Sequence, residues 1–147
     1  MQTFLPYSSF TDSVACLDMK RLGKQRVEAL QLINALTIPD YGWRNHPACV
    51  MWENHIEALA LYHNICIEEW VSRGYNNTMV RYAIPDEAFI TMPSWLGNEE
   101  FHASHRSNLL RKDPVWYGQF GWDEPNNSPY IWPTTQSNRR ATCGIHI

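Results

Sequence analysis

Three stretches of the chain repeat apolar residues at intervals of three and four, and this period predicts amphipathic helices. We expect the first helix to begin after a cap at Thr11 or Ser13 and to run to about Leu36. The second helix has Pro47 in its first turn and runs to about Ser72. Strand patterns are weak throughout, so the sequence predicts an all-α protein.

A third helix and the segments outside the helices complete the predicted organisation. Asn98 followed by two glutamates predicts a helix N-terminus, and this helix is expected to end at about Lys112, before a proline. Residues 1–10 lack a helical pattern, and Trp, Tyr, Gly, Pro and Asn dominate the tail. We therefore expect one compact domain over residues 1–147, with three main helices and an irregular aromatic tail whose residues 135–147 are loose.

Composition and charge narrow the class of protein. The 147 residues are 44% hydrophobic, which supports a core without metal or disulfide bonds. A net charge of −3 argues against a broad basic surface, so any contact with nucleic acid needs local clusters. There is no signal-peptide pattern and no long apolar run, so we expect a cytosolic protein without a membrane partner. The four cysteines form no CxxC pair and are expected to be reduced.

The first predicted helix carries an unusual stripe of polar residues. Asp18, Arg21, Gln25 and Glu28 follow the spacing i, i+3, i+7, i+10, and Lys24 lies beside them. The stripe could be a solvated face held by weak ion pairs. Forked donors such as Arg and Gln, however, favour directional recognition of a ligand. Gly23 within this helix also indicates the close approach of a backbone or a ligand.

Two further clusters carry candidate chemistry. Arg44 and His46 come just before the second helix, where His46 could act as an acid–base group or phosphate donor, or could be a helix cap or a core histidine. The second cluster is the densest basic group of the chain, followed directly by aromatic rings. It comprises His102, His105, Arg106, Arg111 and Lys112, and the aromatic rings are those of Trp116 and Tyr117. This cluster suits contact with a phosphate backbone and stacking on bases, although a basic helix end followed by core aromatics explains part of it.

Motifs for cofactors and metals are weak. His102 and His105 could supply two metal ligands, but no third ligand is suitably spaced, so we predict no metal site. The sequence has no P-loop, no GxGxxG and no GxSxG, and we predict no cofactor.

Several stretches together resemble the pyrimidine-dimer DNA glycosylases, the family of endonuclease V of the T-even phages. These are LDMKRLGKQRVEAL in the first helix, HPACVMWENHIEALALYHNICIEEWVSRGYN at residues 46–76, and LLRKDPVWYGQF at residues 109–120, which cover the end of the third helix and the start of the aromatic tail. The chain is similar above all to a bacterial and phage branch with LGKQRVE and HPxxxMW motifs. The resemblance implies a compact all-α fold with three main helices and an N-terminal segment lying between them.

The resemblance also implies a mechanism. The nucleophile would be the α-amine of Met1, which attacks C1′ of the sugar, expels the base, forms an imine and promotes strand cleavage as an abasic-site lyase. Asp18 would match the helical carboxylate of the family, Arg21 its neighbouring arginine and His46 the histidine that opens the second helix. The expected substrate-binding residues are Lys24, Gln25, Glu28, Arg44, His105, Arg106, Lys112, Trp116 and Tyr117. The expected partner is damaged or modified duplex DNA, bound by a monomer.

Three functions from different classes therefore remain open. The first is a DNA glycosylase with lyase activity. The second is an enzyme that acts on a smaller N-glycoside or nucleotide, which the acidic net charge favours. The third is a non-catalytic nucleic-acid-binding or protein-binding module on the same scaffold. Trapping on abasic DNA, activity on free nucleotides, and binding that survives Asp18→Asn would distinguish them.

Overall fold

A computed structural model of the protein describes residues 1–133, and within this range helices are the only regular secondary structure. The helices are α1 (Phe10–Ala15), α2 (Met19–Thr37), α3 (Pro47–Val50), α4 (Ile56–Ser72), α5 (Glu99–Lys112) and α6 (Pro114–Tyr117), with short 3₁₀ turns at Glu87–Phe89 and Gly118–Phe120. The predicted all-α fold is confirmed. The predicted loose tail, residues 135–147, lies outside the described residues. None of the helices described is both long enough and apolar enough to cross a membrane.

The first predicted helix is in fact two helices, so its predicted start at Thr11 or Ser13 is wrong. The hydroxyl of Ser9 accepts from the backbone N–H of Asp12 and caps α1, whereas Asp18 caps α2. Between them, Leu17 is fully buried. The break is stable because the indole N–H of Trp116, distant in sequence, donates to the Cys16 carbonyl over 2.8 Å.

The second predicted helix is also divided. Between α3 and α4 the chain turns at residues 51–55, where Asn54 has a left-handed φ of 67°. The turn places Met51 and Trp52 in the core, each at most 1% exposed. The third helix agrees with its prediction, since Asn98 accepts from the Phe101 N–H and α5 ends at Lys112.

The N-terminal segment crosses the interior between three helices. Its residues 2–6 are buried. The backbone N–H of Phe4 donates to Gln25 of α2 (2.9 Å), and its carbonyl accepts from the hydroxyl of Tyr62 in α4 (3.0 Å). The N–H of Leu5 donates to Nδ1 of His105 in α5 (3.0 Å). The start of the chain is thus fixed by hydrogen bonds rather than left in solvent.

Candidate active site

The first residue of the chain lines a pocket between the N-terminal segment, α2 and the end of α5. The cavity has a volume of about 290 Å³. It is lined by Met1, Gln2, Phe4, Arg21, Lys24, Glu28, Lys112 and Tyr130. Three of the residues expected from the sequence to bind substrate therefore meet the expected nucleophile here: Lys24, Glu28 and Lys112. Gln2, Phe4 and Tyr130 were not anticipated, because nothing in their spacing marks them.

Among the described residues of this lining, positive charge surrounds the single carboxylate, that of Glu28. Lys24 and Arg21 come from α2, one and two helical turns before Glu28, and Lys112 comes from the last turn of α5. Partial burial, together with repulsion from Arg21, Arg111 and Lys24, lowers the pKa of Lys112, and attraction by Glu28 opposes this shift. The local charge is thus opposite in sign to the net charge of the chain.

The amide of Gln25 connects Glu28 with the N-terminal segment. Gln25 is 1% exposed, and its Nε2 donates to the carbonyl of Gln2 over 2.8 Å and to Oε1 of Glu28 over 3.2 Å. Its Oε1 accepts from the N–H of Phe4, and the hydroxyl of Tyr62 shares its single proton between this oxygen and the Phe4 carbonyl. One buried side chain thereby fixes both the backbone that follows Met1 and the carboxylate of the pocket.

His46 lies beside this pocket as the N-cap of α3. Its Nδ1 accepts from the N–H of Ala48 over 3.0 Å, so the neutral ring carries its proton on Nε2. Burial lowers the pKa of His46, and repulsion by the N-terminal amine adds to that shift, whereas Glu28 opposes it. The imidazole therefore lies close enough to the amine and to Glu28 for both charges to act on it.

The sequence was compared with models of known protein families to test the resemblance that these residues carry. The family model described as pyrimidine dimer DNA glycosylase matches residues 1–82, more than half of the chain. The chain belongs to the pyrimidine dimer DNA glycosylase family. The match spans the N-terminal segment and helices α1–α4, and membership implies DNA as the substrate. Comparison with curated proteins and with solved structures returned no match.

Asp18, expected from the resemblance to be the helical carboxylate of the glycosylase, lies at the start of α2. Its side chain accepts from the backbone N–H and guanidinium of Arg21, and from the hydroxyl of Tyr117. Burial alone would raise the pKa of Asp18, but these hydrogen bonds and the Arg21 charge outweigh it and lower the pKa. Among the described residues, Asp18 is not part of the lining around Met1.

Trp116 and Tyr117, expected from the resemblance to bind DNA, lie at the junction of α1 and α2. The hydroxyl of Tyr117 accepts from the N–H of Asp18 over 3.1 Å, and its ring is fully buried. Burial and the bond to Asp18 raise the pKa of Tyr117. Trp116 keeps 38% of its surface exposed while its N–H bonds to Cys16.

Of the expected basic cluster of α5, His102, His105 and Arg106 are buried, whereas Arg111 and Lys112 are exposed. His105 is 1% exposed, and burial followed by repulsion from His102 lowers its pKa to about 3. Nε2 of His102 accepts from the N–H of Gly97, so its Nδ1 donates to the carbonyl of Leu5 over 2.7 Å. The two imidazoles thereby hold both backbone groups of Leu5.

Arg106 also binds the backbone of the N-terminal segment. Its Nη1 donates to the Pro6 carbonyl over 2.7 Å, and its guanidinium pairs with Glu99 and Glu124. Although burial opposes it, these carboxylates raise the pKa of Arg106. Arg44 lies further away at the end of α2, where it donates to the carbonyl of Leu36 over 3.1 Å and is half-exposed.

Proposed function

We propose that this glycosylase excises damaged pyrimidines from DNA and cleaves the resulting abasic site, with the α-amine of Met1 as its nucleophile. The observation that carries the proposal is the pocket that Met1 shares with Glu28 and three cations. Burial of residues 2–6 supports it, because a fixed segment restricts the position of the amine.

An α-amine suits this chemistry. Its reference pKa of about 7.7–8.0 leaves a usable unprotonated fraction near neutral pH, unlike that of a lysine. The nitrogen lone pair forms a bond to C1′ of the sugar, and the C1′–base bond breaks with its electrons on the base, which takes up a proton. Loss of a proton from nitrogen and opening of the sugar ring give the imine. The imine then promotes elimination of the 3′ phosphate.

We propose Glu28, rather than Asp18, as the carboxylate that serves the amine. Glu28 lines the pocket with Met1 and receives an orienting hydrogen bond from Gln25. It is therefore suited to accept the proton of the attacking amine and to stabilise the cationic sugar. The carboxylate of Asp18 is already engaged by Arg21 and Tyr117, so its proposed role is to cap α2.

The remaining expected residues divide into two groups under this proposal. Arg21, Lys24 and Lys112 hold the phosphates that flank the damaged site, because they line the same pocket. His105 and Arg106 act indirectly, since they hold Leu5 and Pro6 in the segment that carries the amine.

Borohydride trapping on abasic-site DNA tests the nucleophile and the carboxylate together. We expect a covalent adduct that peptide mapping assigns to Met1. Glu28→Gln should reduce the rate of adduct formation by at least about 100-fold, the size of a lost acid–base contribution. Asp18→Asn should keep most of that rate, because Asn remains a good N-cap.

The controls separate a missing amine from a misfolded protein. An uncleaved N-terminal tag should abolish the adduct, whereas the same tag at the C-terminus should not. The absence of an adduct with the untagged protein would refute the amine mechanism. Loss of the adduct in Asp18→Asn but not in Glu28→Gln would restore Asp18 as the carboxylate. Release of bases from free nucleotides but not from DNA would favour the smaller N-glycoside as substrate.

A further inference from the structure

The side chain of Gln2 lies in the wall of the candidate active site and has one polar group that is not used. Only 6% of the residue is exposed, and it lines the same cavity as Met1 and Glu28. Nε2 of its amide is buried, and no acceptor among the described residues forms a hydrogen bond with it. A buried donor without a partner is unfavourable and uncommon in native proteins, so this one requires an explanation.

Two hydrogen bonds fix the position of Gln2. The backbone N–H of Thr3 donates to Oε1 of Gln2 over 2.9 Å, and because an N–H can only donate, the oxygen of the amide must face it. The carbonyl of Gln2 accepts from Gln25 over 2.8 Å, which holds the backbone of the same residue. Nε2 is therefore the end of the amide that stays available.

Tyr130, which lines the same cavity, does not satisfy this donor. Burial raises the pKa of Tyr130, and the side chain of Gln2 is among the groups that oppose this shift, so the amide lies near the phenol. The contact does not reach the geometry of a hydrogen bond, and Nε2 has no acceptor within the described part of the chain. The acceptor that suits it is one that a ligand brings into the pocket.

We propose that Nε2 of Gln2 donates a hydrogen bond to O4′, the ring oxygen of the attacked deoxyribose, as the sugar ring opens; this inference rests on the proposed function. Gln2 directly follows the residue whose amine would attack C1′, and O4′ is bonded to that carbon. The donor and the reacting oxygen would therefore occupy the same small cavity.

The opening of the ring explains why a donor is useful at O4′. The lone pair of the nitrogen forms the second C1′–N bond of the imine, the C1′–O4′ bond breaks, and its electrons move to O4′. The proton that Glu28 accepted from the amine then passes to this oxygen. A donor directed at O4′ stabilises the negative charge that develops there, and its hydrogen bond becomes stronger as the charge grows. An uncharged amide does so without competing with Glu28 for the proton.

Borohydride trapping on two matched duplexes tests this contact. One duplex carries a natural abasic site, whose sugar is mainly a closed ring, and the other carries an acyclic aldehyde at the same position, which has no O4′. Gln2→Met gives a side chain of similar length without an N–H, and intact mass verifies that Met1 is still present. We expect adduct formation on the natural site to be about 100-fold slower, as for the loss of one donor to a developing oxyanion. The rate on the acyclic aldehyde should be unchanged.

Gln2→Glu is the second variant, because it keeps an oxygen for the N–H of Thr3 and replaces only the amide nitrogen. Its added charge acts on both duplexes, so the ratio of the two rates is compared, and this ratio should change as in Gln2→Met. Equal slowing on both duplexes, a ring-specific loss in only one variant, or no slowing would overturn the role of Gln2 and leave the amine mechanism in place. Absence of an adduct between the unaltered protein and either duplex would refute both.

Discussion

At the residue scale, the buried amide of Gln25 determines the relation between the carboxylate and the start of the chain. Its Nε2 donates to both the Gln2 carbonyl and Glu28, and its Oε1 accepts from Phe4 and Tyr62. An amide is well suited to this position, because it offers donors on one side and an acceptor on the other.

Gln25→Glu should therefore shift the pH dependence of trapping. The new carboxylate would face the Gln2 carbonyl and Glu28, and repulsion between two carboxylates raises the pKa of both. We expect the acid limb of the pH–rate profile to move to higher pH. Gln31→Glu makes the same chemical change on α2 outside the pocket lining and should leave the limb in place. Equal shifts in the two variants would contradict a positioning role for Gln25.

The buried imidazole of His105 predicts how stability responds to acid. Burial and repulsion from His102 lower the pKa of His105 from 6.5 to about 3. The folded protein keeps the ring neutral where the unfolded chain binds a proton, so this contribution is complete above pH 6.5 and declines as the pH falls toward 3. The decline should be about 1.4 kcal/mol per pH unit.

Urea unfolding across this pH range measures the effect. His105→Gln keeps an acceptor for the N–H of Leu5 but cannot be protonated, so its unfolding free energy should fall less steeply. His55→Gln, at a histidine outside the core, should keep the slope of the unaltered protein. Identical slopes for the three proteins would show that His105 does not control the acid response.

At the element scale, the sequence predicted a helix end correctly where residues close in sequence fix that end. It failed where contacts with distant residues fix it. Asn98 caps α5 with its own side chain, so both ends of that helix were predictable. The break between α1 and α2 depends on Trp116 and Tyr117, 100 and 99 residues away from Cys16 and Asp18. The hydrophobic pattern of the helix itself cannot predict a contact with a residue so distant in sequence.

The candidate site likewise has a part that the sequence could predict and a part that it could not. Helical spacing was enough to group Arg21, Lys24 and Glu28 on α2, because positions three and four apart share a face. It could not show that the N-terminal segment passes between the helices, since Leu5 is held by His105, 100 residues away. Nor could it show that His105 would be buried, because its neighbours in sequence are polar.

Packing between α2 and α4 explains Gly23, which the sequence had linked to a close backbone or ligand. A Cβ at this position would lie 3.1 Å from Cζ3 of Trp70. Trp70 cannot move freely, because its indole bonds to the carbonyl of Asn76 over 2.7 Å and its ring lies under Arg26. The glycine therefore makes room for a ring of α4.

Gly23→Ala should lower the unfolding free energy despite the better helix propensity of alanine. The propensity gain is about 1 kcal/mol, and overpacking a fixed ring costs about 1–3 kcal/mol. The same substitution in a Trp70→Ala background should instead be stabilising, because the obstacle is gone. Denaturant unfolding of the four proteins measures this cycle, and destabilisation by Gly23→Ala in both backgrounds would disprove the steric explanation.

At the scale of the whole molecule, charge is distributed unevenly. The chain carries a net charge of −3, yet Arg21, Lys24 and Lys112 line the pocket of Met1. A negative chain gains little from a general attraction to phosphate, so under the proposed function we expect affinity for DNA to arise mainly at this cationic rim. Binding should therefore respond to the position of a lysine and not only to the total charge.

Lys24→Gln and Lys20→Gln test that expectation, because they change the net charge equally on one helix. Lys24 lines the pocket, whereas Lys20 is exposed outside its lining. If Lys24 contacts a phosphate, its loss should reduce the slope of log affinity against log salt by about 0.9 and weaken binding to all DNA sequences alike. Lys20→Gln should leave the slope unchanged. Equal changes in the two variants would mean that DNA binding depends on the overall charge of the protein. The proposal that the pocket binds the flanking phosphates would then be wrong.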